Sequence, residues 1–173
     1  MSCSYRFVLA MPLLVMWQPM FAASADKDAP ESPKTIACPT VVADGTTASI
    51  TEVLTRIEGK TEALTKASVE HKAPWNEIDA LIRIDVVSNM MKGSALVISR
   101  SPHDSKATEV SLDELISHTQ FSAKIVSGLM YGDDTLALKR TAVPSAISAL
   151  NDLHCEIAVL GENVRKLANQ LQN

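Results

Sequence analysis

The chain has 173 residues, with 16 basic and 20 acidic side chains and a net charge of −4. The two signs are interspersed, leaving no basic stripe to follow a phosphate backbone, so nucleic acid is not an expected partner. Aromatic residues make up only 4% of the chain, too few for the stacking platforms of a base- or sugar-binding site or for an aromatic-rich sheet core.

Residues 1–25 read as a cleaved export signal. Arg6 supplies the positive charge, Phe7 to Phe21 an apolar run, and Ala23-Ser24-Ala25 the small residues before a cut ahead of Asp26. A membrane anchor and a buried helix are the other readings. The 15-residue run is broken by Pro12, Gln18 and Pro19, which is short for a bilayer span. No later stretch is long and apolar enough, so no transmembrane span is expected in the mature chain.

Removing the signal takes Cys3 with it and leaves Cys38 and Cys155. Two cysteines in an exported chain tend to pair, so a Cys38–Cys155 disulfide is expected. Lipidation of Cys38 is the alternative, and the apolar run ends too far upstream to favour it. Residues 26–48 form a leader rich in Pro, Ser, Thr and charge, read as extended. Residues 49–173 then form the folded domain.

Its first helix is predicted to start at Ser49, where Ser49-Ile50-Thr51-Glu52 fits a capping box. Ile50, Val53, Leu54, Ile57, Leu64 and Ala67 give its apolar face, and it fades near His71. The second helix opens at Pro74, a first-turn position that needs no N–H, and reaches about Ser99. Trp75, Ile78, Leu81, Ile82, Val86, Met90, Leu96 and Val97 are read as its inward face. Gly93 should mark a kink or a close helix crossing.

A second capping box, Ser111-Leu112-Asp113-Glu114, predicts the third helix. Its face is Leu112, Leu115, Ile116, Ile125, Val126, Leu129 and Met130, with Gly132 as the stop. Residues 133–143 are ambiguous and can hold a short helical turn. The fourth helix opens at Pro144. Leu150, Leu153, Ile157, Leu160, Val164, Leu167 and Leu171 follow at alternating spacings of three and four, which is a heptad seam. The alternative for this seam is a dimeric coiled coil, but the other three helices also need partners. Cys155 lies on the opposite side, within reach of a leader crossing outside. The expected fold is all-α, an antiparallel four- to five-helix bundle.

No catalytic constellation stands out, and the chain is read as a non-enzyme without a cofactor. His71, His103, His118 and His154 lack zinc-site spacing. Gly-x-Ser-x-Gly, a phosphate-binding glycine loop and Cys-x-x-Cys-His are all missing from the sequence. Asp133-Asp134 lacks the alternating spacing of a calcium loop and reads as a solvated turn. The aliphatic interior remains: it either packs solidly or leaves an elongated cavity for a fatty-acyl chain. Met90, Met91 and Met130 are adaptable side chains placed where such a cavity would lie.

Several stretches carry a resemblance. Ile50-Thr51-Glu52-Val53-Leu54-Thr55-Arg56-Ile57 and Thr61-Glu62-Ala63-Leu64-Thr65 are followed by Ile125-Val126-Ser127-Gly128-Leu129 and Ala149-Leu150-Asn151-Asp152-Leu153. Together they make residues 50–168 resemble the fungal hydrophobic surface-binding protein A family, also called cell-wall galactomannoproteins. The resemblance implies a secreted helical bundle at or outside the cell wall. Such a bundle adsorbs to hydrophobic surfaces, binds fatty acids or other lipids in its interior, and has no catalytic residues. The proposed acyl contacts are Ile57, Leu64, Ile82, Val86, Met90, Val126, Met130, Ile157 and Leu160, all expected to face inward. The alternative is a bacterial periplasmic protein-binding module (an inhibitor, immunity or secretion-accessory protein) with a secreted protein as partner.

Overall fold

The computed structural model describes residues 38–40, 43–131 and 144–172. The export signal, the leader up to residue 37, Gly132 and the ambiguous segment 133–143 lie outside them. Among the described residues there are four helices: α1 (Thr47–Glu70), α2 (Trp75–Arg100), α3 (Ser105–Tyr131) and α4 (Pro144–Gln172). Each packs on two neighbours, α1 on α2 and α4, and α3 on α2 and α4. Cross-links fix the directions. Ser49 and Arg56 of α1 bond Asn163 and Glu156 of α4, and Ser94 of α2 bonds Glu114 of α3. Low numbers thus meet high ones across each of these interfaces, and the bundle is antiparallel.

Two helix starts lie upstream of the predicted ones. The N-cap of α1 is Thr46, in extended conformation, whose Oγ1 accepts from the Ser49 N–H at 3.1 Å. Thr46 is oriented in turn by Asp44, which accepts from both its N–H and its hydroxyl. The Thr46 N–H first, with the Thr46 hydroxyl, holds the Asp44 carboxyl below the usual carboxylate range. Ser49 is therefore inside the helix, and its hydroxyl bonds Asn163 instead of capping.

Helix α3 likewise starts at Ser105, because Asp104 accepts from the Ala107 N–H at 3.0 Å. The predicted cap Ser111 is buried one and a half turns further on, and Glu114 accepts from Ser94. In both cases a sound capping sequence lies inside a helix whose real cap is an oxygen further upstream.

A single aliphatic core joins the four helices. It contains Ile50, Leu54 and Ile57 of α1, Leu115, Val126 and Met130 of α3, and the α4 seam from Leu150 to Leu167. Leu171, the last seam residue, is exposed. The α4 seam is thus covered within the chain, as a bundle requires.

Cys38 and Cys155 form a disulfide across a sequence separation of 117, with Cα atoms 5.3 Å apart. Residues 43–46 then run along α4 as a strap. Lys166 Nζ donates to the Ala43 carbonyl, Gln170 Nε2 to the Asp44 carbonyl, and the Asp44 and Gly45 N–H groups to Asn163 Oδ1. Gly45 is required here: its φ is +74°, and a Cβ would lie 2.6 Å from the Lys166 Cβ.

Candidate functional site

Helix α2 is where sequence and structure part. Six of the nine proposed acyl contacts, Ile57, Leu64, Val126, Met130, Ile157 and Leu160, are buried together in the core. The other three are not. Ile82 is 39% exposed, Val86 52% and Met90 53%, so they line the outside of the bundle. The inward side of α2 is instead Ile78, Leu81, Ile84, Val87, Met91, Ala95 and Ile98.

The reason is angular. Each helical residue advances about 100°, so Ile84, Ser88, Met91, Ala95 and Ile98 form one seam spaced four, three, four, three. Asp79, Ile82, Val86, Asn89, Gly93, Leu96 and Arg100 form a second seam on the opposite side. Only one of them can face the core. The same spacing carries the inner seam back through Leu81 to Glu77, which is itself buried, and the outer seam runs from Asp79 to Arg100. Each seam therefore holds charge, and neither periodicity nor charge along the helix chooses between them.

The outer surface of α2 is therefore a stripe of apolar side chains open to water. Trp75, 71% exposed, stands at its N-terminal end. Ile82, Val86, Met90, Leu96 and Val97 follow along the helix. Gly93 is exposed near the middle, and a Cβ built there would meet nothing within 4 Å. The helix runs unbroken through it, so the close crossing expected at Gly93 is not made within the chain. Charge is confined to the edges and ends. Arg83 bonds Asp79 at 2.7 Å, and Arg100 closes the last turn without an ion pair to any described residue.

Four shallow clefts lie between the helices and meet the stripe only at Leu96. One of about 280 Å³ runs between α3 and α4 over Ile116, Thr119, Gly161 and Val164. Another, of about 540 Å³, lies between the start of α1 and the end of α2, beside Lys92, Leu96 and Ser99. None of the nine proposed acyl contacts lines these clefts, nor the two beside Leu112 and Phe121. The six that are buried belong to the single core cluster. Met91, not Met90, is the enclosed methionine, and its sulfur accepts from the Thr119 hydroxyl at 3.6 Å.

Some polar groups of the bundle are joined across helices, whereas the buried Thr61 and Ser88 hydroxyls donate to carbonyls of their own helices. Lys92 pairs with Glu58 between α2 and α1. Asp85 lies beside them, and burial first, then the nearby Glu58 and Glu62 carboxylates, push its carboxyl up, against the pull of Lys92. Among the described residues no three His, Cys, Asp or Glu side chains are grouped to hold a metal ion. No described helix is long and apolar enough to cross a membrane.

Fold and surface together define a class: an antiparallel helical bundle, with four helices among the described residues and a disulfide-held strap, that presents one helix with apolar residues on both sides. No protein-family model matches the chain, and no curated protein or solved structure is significantly similar to it.

Proposed function

We propose that this chain is an exported, non-enzymatic protein that docks packed acyl chains and comparable hydrophobic surfaces, at or outside the cell wall, through the outer stripe of α2. The observation that carries the reading is the alignment of Ile82, Val86, Met90, Leu96 and Val97 on one exposed helix face. Scattered exposed apolar residues are ordinary, but a contiguous row of them marks a contact surface. The 26-residue helix is about 39 Å long, enough to lie flat on an acyl surface. Trp75 at one end and Arg83 and Arg100 at the edges suit the boundary between acyl chains and water, where amphipathic rings and cationic side chains settle.

The interior reading is replaced by an exterior one. Ile82, Val86 and Met90 remain the proposed contacts, while the six core residues serve as the scaffold. Export is supported by the apolar run and small-residue site before Asp26, and by the Cys38–Cys155 bridge, which persists in oxidising compartments.

The test is flotation with phosphatidylcholine vesicles and adsorption to an octyl-coated surface. The oxidised protein should bind both. Val86→Lys should reduce binding at least tenfold while leaving the thermal midpoint in place, because Val86 is already half in water. A wild-type protein that stays in the aqueous phase in both assays would remove the proposal.

A further inference from the structure

We infer that, away from a surface, the outer stripe of α2 is covered by the same stripe of a second copy, the two helices running antiparallel. The inference rests on the stripe being the docking face, and it adds how access to that face is controlled.

Three observations lead there. Helix α2 carries two seams on opposite sides, and its inner seam is already packed against α1 and α3. A helix with apolar residues on two opposite sides ordinarily buries both, so the outer seam calls for a cover.

The second observation is the order of charge along that seam: Asp79, which already bonds Arg83 beside the seam at 2.7 Å, stands at the first turns and Arg100 at the last. In an antiparallel pair Asp79 stands opposite Arg100 of the second copy, and Arg100 opposite its Asp79. A parallel pair would set Asp79 against Asp79 and Arg100 against Arg100. The stripe is therefore self-complementary in one direction only, as an isologous two-fold contact requires. The helix dipoles favour the same direction.

The third is the notch at Gly93. In the register that aligns Asp79 with Arg100, Ile82 faces Val97 and Val86 faces Gly93. The exposed Gly93 has no neighbour within 4 Å of where a Cβ would lie, so it leaves room for the Val86 side chain. The two-fold repeats that fit twice, and Asn89 and Met90 lie at the axis. The open surface at Gly93 is then the close helix crossing that the single chain does not make.

The test is sedimentation equilibrium of the oxidised chain over a range of micromolar concentrations, with charge variants. Wild type should reach a dimer. Asp79→Arg should weaken the dimer about tenfold or more by facing Arg against Arg, and Arg100→Asp should do the same by facing Asp against Asp. The combined variant D79R/R100D should regain the dimer. All three should keep the helical circular dichroism of wild type, since both positions are at the surface.

A monomeric wild type overturns the inference. So does a dimer indifferent to the single reversals, or a double variant that fails to recover. Vesicle flotation separates this inference from the surface-docking reading: a monomer that floats loses only the dimer, and a charge-sensitive dimer that never floats loses only the surface.

Discussion

The Ser49 hydroxyl donates to Asn163 Oδ1 at 2.6 Å, tying the first turn of α1 to the C-terminal half of α4. The same oxygen accepts from the Asp44 and Gly45 N–H groups, each at 3.2 Å, and Asn163 Nδ2 donates to the Val159 carbonyl. One amide, only 1% exposed, thus fixes helix, strap and helix start together. Asn163→Ala should cost about 1 to 3 kcal/mol, because it strands the buried Gly45 N–H and removes the part-buried bonds of Asp44 and Ser49. Urea denaturation of the oxidised protein measures this. A loss no greater than that of a surface alanine substitution would mean the strap is held without Asn163.

The disulfide should act on the unfolded chain more than on the helices. Closing a loop of 117 residues removes chain entropy worth up to about 5 kcal/mol. Reduction, or Cys38→Ser with Cys155→Ser, should lower the denaturation midpoint substantially while far-ultraviolet circular dichroism stays helical at low temperature. Loss of the helical signal on reduction would mean that the core cannot hold the bundle alone.

Adjacent methionines offer a direct comparison of the two sides of α2. Met91 is fully enclosed, so Met91→Ala should cost about 2 to 5 kcal/mol. Met90 is half exposed, and Met90→Ala should stay within about 0.5 kcal/mol. Equal losses at the two positions would contradict the orientation of the helix.

Asp85 makes a pH-dependent contribution of defined sign. Its carboxyl is raised above the ordinary value of 3.8, so the folded state holds the proton to higher pH than the unfolded state does. Stability therefore falls as pH rises from the unfolded value through the folded one, and the penalty is complete above it. Asp85→Asn should stabilise the protein at neutral pH, by a few tenths of a kcal/mol (about the scale of partly solvated charges). The gain should disappear below about pH 3.8. Paired urea titrations at neutral and acid pH measure it, and a gain that persists in acid would mean the carboxylate is not its source.

The sequence by itself determined the class of fold. The α4 heptad from Leu150 to Leu167, the apolar faces of α1 and α3, and the Cys38–Cys155 pairing were all expected from residue spacing and from the reading of residues 1–25 as an export signal. These features are legible because each of those helices has one apolar side, so periodicity leaves one way to turn it. The capping boxes were less informative. Ser49 and Ser111 have the right neighbours, yet Thr46 and Asp104 provide the caps because their oxygens come earlier in the chain and still reach helix N–H groups. Tertiary structure alone decided the rotation of α2. Two seams of similar hydrophobicity lie on opposite sides of that helix, and local periodicity is equally satisfied by either. The choice was made by how α2 packs on α1 and α3, a constraint that exists only once the helices are together. It turned Ile82, Val86 and Met90 outward and moved the candidate site from the interior to the surface.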